Sequence, residues 1–229
     1  MATMTATSAV NTALQLLGVL DAGGSASATQ LSDGLTYLQN MIDNANSDPS
    51  MAISSSRTTA ALSSNVQTYT IGPAATINVS RPSKILGASV ILSAGPTIPI
   101  RILEDAKEWT AIMDRDSNSY MIEYLWYDRG NTTGTIYLSP KPLGGTLELV
   151  YPAPITNFTD TTTPVEILPG YARWIRFGLA HELASTYDMP VPQSVVESYT
   201  QAMTTIQKLN NELLTPSPVT ATLGATVQA

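Results

Sequence analysis

The sequence predicts an α+β protein: a four-helix bundle of two N-terminal and two C-terminal helices, with an inserted antiparallel β-sheet or small barrel. Three observations predict this class. Apolar residues repeat with helical spacing near both ends of the 229-residue chain, and they alternate with polar residues between about residues 66 and 151. Residues 213–229 contain no charged side chain, and we expect them to form an extended tail.

The two N-terminal helices are predicted from apolar stripes and capping signals. The first spans about residues 7–17 and ends at Gly18, which readily adopts the left-handed conformation that stops a helix. The second begins after Ser27, whose capping-box partner is Gln30, and ends before Pro49. Because a short loop joins them, we expect the two helices to pack as a hairpin.

Short alternating segments separated by turn residues fill the middle of the chain. The predicted strands run over about residues 67–71, 84–92, 97–103, 121–127, 135–139 and 146–151. The second and third are expected to pair as a hairpin whose second arm is an edge strand, because Pro99 cannot donate a ladder hydrogen bond. A short helix is expected around Trp109.

Helical spacing returns after the strands. One helix is predicted from Pro169 to about Tyr187, and the last, most regular helix from about Gln193 to Leu213. Their apolar stripes would close the bundle with the N-terminal hairpin. The predicted domains are an N-terminal helical hairpin, a β-rich insert, a C-terminal helix pair and a tail, over residues 1–50, 51–165, 166–213 and 214–229.

The composition favours protein contacts over nucleic acid or membrane binding. Charged residues make up 13% of the chain, and the net charge is −7. A surface this poor in charge suggests patches that face other subunits, and the negative charge argues against nonspecific binding to phosphates. No run of 18 apolar residues is present, so we expect no membrane span, and the first twenty residues lack the pattern of an export signal.

Candidate catalytic groups are sparse. The single histidine, His181, begins a segment that starts like a zinc-protease helix, but Ser185 stands where the second ligand is needed, and the chain has no cysteine. We therefore expect no metal, no cofactor and no catalytic residues. Paired carboxylates such as Glu123 and Asp128 leave open a peptidoglycan-cleaving activity. Arg173 and Arg176 share a helix and would either bind an acidic group across a subunit interface or lie on a solvated face.

Six segments, taken together in order and spacing, resemble a known family. They are residues 11–24 (NTALQLLGVLDAGG), 27–43 (SATQLSDGLTYLQNMID), 69–72 (YTIG), 81–85 (RPSKI), 136–142 (IYLSPKP) and 168–184 (LPGYARWIRFGLAHELA). This set is similar to the tail accessory factors of short-tailed bacteriophages, also called head-to-tail adaptors or packaged-DNA stabilisation proteins. The resemblance covers about residues 7–210.

The resemblance implies a structural virion protein, made in the host cytoplasm and placed at the head–tail junction. It would form a ring, expected to be twelvefold, beneath the portal protein, extend the DNA channel without binding DNA tightly, and dock the next tail component, a nozzle or hub protein. The alternatives are a muralytic virion enzyme and a carbohydrate-binding or capsid-decorating module. Period-2 alternation in the tail suggests that it docks on the portal as an added strand or in a groove, through Leu213, Leu214, Val219, Ala221, Leu223 and Val227.

Overall fold

The computed structural model describes residues 2–52, 54–93, 95–168 and 170–214. The helices are α1 (Ala6–Leu16), α2 (Ala28–Ser47), α3 (Ala106–Thr110), α4 (Tyr171–Ala184) and α5 (Gln193–Leu214). The strands are β1 (Ala2–Met4), β2 (Ser54–Ala61), β3 (Thr68–Gly72), β4 (Ile77–Asn78), β5 (Gly87–Ile91), β6 (Thr97–Pro99), β7 (Arg101–Leu103), β8 (Asn118–Ser119), β9 (Tyr124–Asp128), β10 (Gly134–Ser139), β11 (Lys141–Pro142), β12 (Thr146–Ala153) and β13 (Val165–Ile167).

Side-chain caps mark the start of both N-terminal helices, at Thr5 for α1, which was not predicted, and at Ser27 for α2, as predicted. The Thr5 hydroxyl accepts a hydrogen bond from the Ser8 N–H (3.2 Å) and caps α1. At the start of α2, the Ser27 hydroxyl accepts from the Gln30 N–H (3.3 Å), while the Gln30 side chain accepts from the Ser27 N–H (2.8 Å). The predicted capping box is therefore confirmed, and it satisfies two N–H groups that the helix itself leaves unpaired.

Four sheets occur in the described residues. The two larger ones have the strand orders β4-β3-β10-β9-β7 and β2-β12-β5-β6, and the two-stranded ones pair β1 with β13 and β8 with β11. Most neighbours are antiparallel, but β3 with β4, β7 with β9 and β8 with β11 are parallel. The inner faces of the two larger sheets share one apolar core.

The predicted fold, a four-helix bundle with one small inserted antiparallel sheet or barrel, is wrong. The protein is α+β, but it is rich in sheet: its strands form several sheets that include parallel pairs. The helical region also contains the β1–β13 ladder, in which Thr3 lies opposite Glu166. Sequence alternation marks a strand but does not identify its partner, and strands of three residues carry too little pattern to be recognised.

The predicted hairpin of residues 84–92 and 97–103 is partly correct. β5 pairs with β6, which is an edge strand, but the chain then leaves this sheet. The Ile100 N–H still donates to the Ala88 carbonyl (2.9 Å), whereas the Arg101 N–H donates to the Glu123 carbonyl (2.9 Å). Residues 101–103 therefore form β7 in the five-stranded sheet, since the ladder at β6 ends next to Pro99.

The helical core draws on both ends of the chain. α4 packs against α1, α2 and α5, and fully buried side chains such as Leu14, Ile42 and Leu179 fill the space between the helices. α1 and α2 approach closely at Gly34, where an added Cβ would lie 2.6 Å from Val10 Cγ2. The strand region has a separate core that includes Leu125, Ile136 and Leu147. The division into four domains given above stays a prediction.

Candidate functional site

Arg173 and Arg176 are both exposed on α4. Arg173 donates from Nη2 to Gln201 Oε1 on α5 (3.2 Å), and its guanidinium lies 5.7 Å from the centre of the Phe177 ring. Within the described residues neither arginine forms an ion pair. The predicted subunit contact requires charges that are available to a partner, and it stays a prediction.

A groove runs along the outer surface between α4 and α5 next to Arg173. Its volume is about 400 Å³. Its lining consists of two cationic and four neutral polar side chains: Arg173, Thr200, Gln201, Thr204, Thr205 and Lys208. Arg176 does not line the groove, so the structure separates the two arginines that the sequence grouped together.

The helix that leads into the tail is anchored at its C-terminal end by Asn210. The buried Asn210 amide donates to the Ser50 carbonyl and to the Tyr171 hydroxyl, both at 2.9 Å. Burial raises the pKa of Tyr171, while the hydrogen bond from Asn210 partly opposes this shift. Leu213 and Leu214 are the last residues of α5. The other predicted docking residues, Val219, Ala221, Leu223 and Val227, lie outside the described residues.

A polar cleft of about 480 Å³ separates the helical region from the strand region. Arg81 and Arg129 from the strand region and Asp43 and Asp48 from the end of α2 line it. Asp43 already accepts a hydrogen bond from Asn157 Nδ2 (2.9 Å). This cleft could not be predicted from the sequence, because its lining residues extend from Asp43 to Pro154 and follow no common spacing.

Aromatic side chains cover the outer face of the five-stranded sheet. Trp126 of β9 and Tyr137 of β10 stack with ring centres 4.8 Å apart, and Trp109 of α3 packs on both. The Arg115 guanidinium lies 5.9 Å from the Trp109 ring centre. The predicted helix around Trp109 is confirmed, although it is only five residues long. Because Trp109 is 8% exposed, this cluster stabilises the sheet and does not present an open aromatic surface.

The carboxylates considered for hydrolysis are poorly arranged for it. Glu123 precedes β9 and Asp128 ends it, so five residues of extended chain, about 16 Å, separate the two positions, whereas glycosidase carboxyl groups lie about 5–9.5 Å apart. His181 is exposed on α4 and stacks on Tyr199, with ring centres 5.8 Å apart. Among the described residues, no three His, Asp or Glu side chains converge in a way that could hold a metal ion.

Asp160 organises the loop that connects β12 with β13 and contacts α1 and α2. The Thr163 hydroxyl and the backbone N–H groups of Thr163 and Thr162 donate to its carboxylate. These hydrogen bonds, with the Thr163 side chain the strongest, hold the pKa of Asp160 well below its ordinary value of 3.8. The neighbouring Thr161 carbonyl accepts from the Thr7 hydroxyl (2.7 Å) and joins the loop to α1. The lowered pKa of Asp160 is therefore explained by the hydrogen bonds that hold this loop in place.

The groove, and the two arginines that form no ion pair among the described residues, offer a surface for contacts with other proteins. A comparison with protein families supports a role in such contacts. The family described as SU10 adaptor protein matches residues 4–222, nearly the whole sequence. The chain therefore belongs to the SU10 adaptor protein family, and the resemblance to phage head-to-tail adaptors is confirmed.

Membership of this family indicates the general function of the protein. An adaptor is a structural component of the phage virion, and it interacts with other head and tail proteins. No curated protein matches this chain. In the described part of the chain, none of the helices combines the length and apolar character needed to cross a membrane.

Proposed function

We propose that this protein is the head-to-tail adaptor of a short-tailed phage. Copies of it form a ring beneath the portal, expected to be twelvefold, which extends the DNA channel and docks the next tail component, a nozzle or hub protein. The observation that carries this proposal is the family match over residues 4–222. A match of this extent includes both the helical and the strand-rich regions, so the whole architecture belongs to the adaptor.

The charge of the chain supports passage of DNA through such a ring. With a net charge of −7 and 13% charged residues, the protein lacks the basic density that binds phosphates tightly. We expect no shift of duplex DNA at micromolar protein in ~150 mM salt. A gel-shift titration tests this, and tight binding under these conditions would refute a sliding lumen.

The role we propose is structural and not catalytic. The muralytic alternative predicts that the pure protein degrades cell-wall peptidoglycan and that Glu123→Gln or Asp128→Asn abolishes the activity. We expect no turnover of purified peptidoglycan by the wild type. The separation of Glu123 and Asp128 along β9 supports this expectation.

The tail is the proposed portal contact. Residues 219–227 alternate apolar and polar side chains without charge, and this pattern suits strand addition or a groove. Truncation after Leu214 should leave the melting temperature nearly unchanged and sharply weaken portal binding. Binding of the full-length and the truncated adaptor to surface-immobilised portal protein measures the difference in affinity directly. Equal affinity of both forms would move the contact to the helices or strands.

Native mass spectrometry of the chain, alone and with the portal, tests the proposal as a whole. We expect a single ring of fixed copy number on each portal. A monomer that never binds the portal would refute the adaptor role and favour a decoration module.

A further inference from the structure

The groove between α4 and α5 has the charge of a receptor for an acidic surface. Arg173 and Lys208 contribute two positive charges, and the other described residues that line it, Thr200, Gln201, Thr204 and Thr205, are neutral. Neither cation forms an ion pair with the side chains that the structure describes. A negatively charged partner would therefore gain two attractions without breaking any ion pair that the described side chains form.

The neutral side chains of the groove can be buried at little cost. The hydroxyls of Thr200, Thr204 and Thr205 donate to the helix carbonyls one turn earlier, at 2.9, 2.8 and 2.8 Å. A hydroxyl whose hydrogen is already bonded leaves no unsatisfied donor when water is removed. This helix face is thus polar in composition, but a partner can cover it without leaving its hydroxyl donors unpaired.

Leu209 adds an apolar component at the edge of the groove. It follows Thr205 by one helical turn, next to Lys208, and its side chain is 61% exposed. Residues four apart share a helix face, so Leu209 extends the threonine row of the groove. A partner lying along α5 would cover it and gain its apolar area.

The chain itself carries the complementary surface. Residues 1–56 contain four aspartates and no lysine or arginine. On α2, Asp33, Thr36 and Asn40 are exposed and lie three or four residues apart, hence on one outward face. The Thr36 hydroxyl donates to the Ser32 carbonyl (3.1 Å), as the groove threonines do to theirs. The α2 face therefore matches the α5 face in polarity and opposes it in charge.

We propose that the α4–α5 groove of one copy receives the outward face of α2 of the next copy, with Arg173 and Lys208 against Asp33. The two surfaces differ, so the contact is heterologous, and repeating it through a closing rotation produces a ring. This inference rests on the proposed ring and names the surfaces that join its subunits. It assigns Arg173 to the contact and leaves Arg176 outside it.

Charge reversal on each surface gives a decisive test. One variant, R173E/K208E, makes the groove acidic, and the other, D33K/N40K, makes the α2 face basic while leaving Asp43 and its bond to Asn157 intact. In each variant alone both surfaces carry the same sign. In an equimolar mixture every groove can meet an oppositely charged α2 face, so alternating rings become possible.

We expect each variant alone to raise the concentration for half-assembly by ~10-fold or more, alone and on the portal, and the mixture to return to within about threefold of wild type. Sedimentation velocity measures assembly, and native mass spectrometry measures the alternation. K84E and D114K reverse exposed charges of the strand region and serve as controls that should assemble normally. Circular dichroism confirms that all variants are folded.

Normal assembly of either folded variant, or failure of the mixture to assemble, would overturn the inference while leaving a wild-type ring and the proposed function intact. Equal weakening by K84E or D114K would also overturn it, since net charge and not the groove would then control assembly. Absence of any wild-type ring, alone or on the portal, would overturn the adaptor function together with this contact.

Discussion

The helical and strand-rich regions bury separate cores that are assembled from the chain in opposite ways. The strand core is built from one continuous stretch, between Leu62 and Tyr151. The helical core combines residues from Met4 to Met51 with residues from Ile155 to Ile206. The strand region can therefore be complete in itself, whereas the helical region exists only when the two ends of the chain meet.

The largest expected effect on stability comes from truncating one large buried side chain in each core, one core at a time. Phe158→Ala in the helical core should cost about 3–5 kcal/mol, and Leu125→Ala in the strand core about 2–5 kcal/mol, because each leaves a cavity at a fully buried site. Hydrogen exchange should accelerate in the helical region for the first variant and in the strand region for the second. Equal acceleration everywhere in both variants would show that the two cores unfold as one.

A second change tests the close approach of α1 and α2. Gly34→Val should destabilise by about 1–3 kcal/mol, because even its Cβ would lie 2.6 Å from Val10 Cγ2. Val10→Ala in the same chain should recover a substantial part of that loss by making room. Urea unfolding of the two single variants and the double variant gives the coupling energy. Additive losses would mean that the helices separate instead of clashing.

The third prediction concerns the junction of the two regions. Asn210→Ala should cost about 1–3 kcal/mol, because the buried Asn210 amide donates to the half-buried Ser50 carbonyl, which precedes β2, and to the Tyr171 hydroxyl. Gln207→Ala is the control. Gln207 lies one turn earlier on α5, and its side chain makes no hydrogen bond among the described residues. Thermal unfolding should show a lower melting temperature for Asn210→Ala and an unchanged one for Gln207→Ala. An equal effect of both would assign the loss to α5 itself.

The smallest effect is a dependence on pH in the helical region. The pKa of Asp160 is lowered in the folded state, so its stabilisation is present above the ordinary value of 3.8 and is lost as the pH falls below it. Asp160→Asn should therefore lower the melting temperature at pH 7 and make progressively less difference at acid pH. A constant difference at all pH values would show that the carboxylate charge is not responsible.

Sequence reasoning succeeded where local rules decide the structure. The capping box at Ser27, the helix around Trp109 and the edge position of Pro99 each depend on a few neighbouring residues, and each is present. Strand pairing depends on residues distant in the chain, so the parallel pairs, the crossing into β7 and the β1–β13 ladder were missed. Of the candidate surfaces, exposed Arg173 could be selected from the sequence. The groove could not, because it needs the relative position of α4 and α5.

The β1–β13 ladder has a consequence for the order of synthesis. We expect α1 and α2 to leave the ribosome with apolar faces that have no cover until α4 follows, more than 120 residues later. At typical elongation rates that interval is on the order of 10 s, long enough for the intervening strands to pair first. Completed strands bring residue 165 back towards residue 4, so β13 reaches β1 over a shortened loop at a smaller entropic cost. We therefore expect the strand region to fold before the helical region, and β1 to be among the last elements to pair.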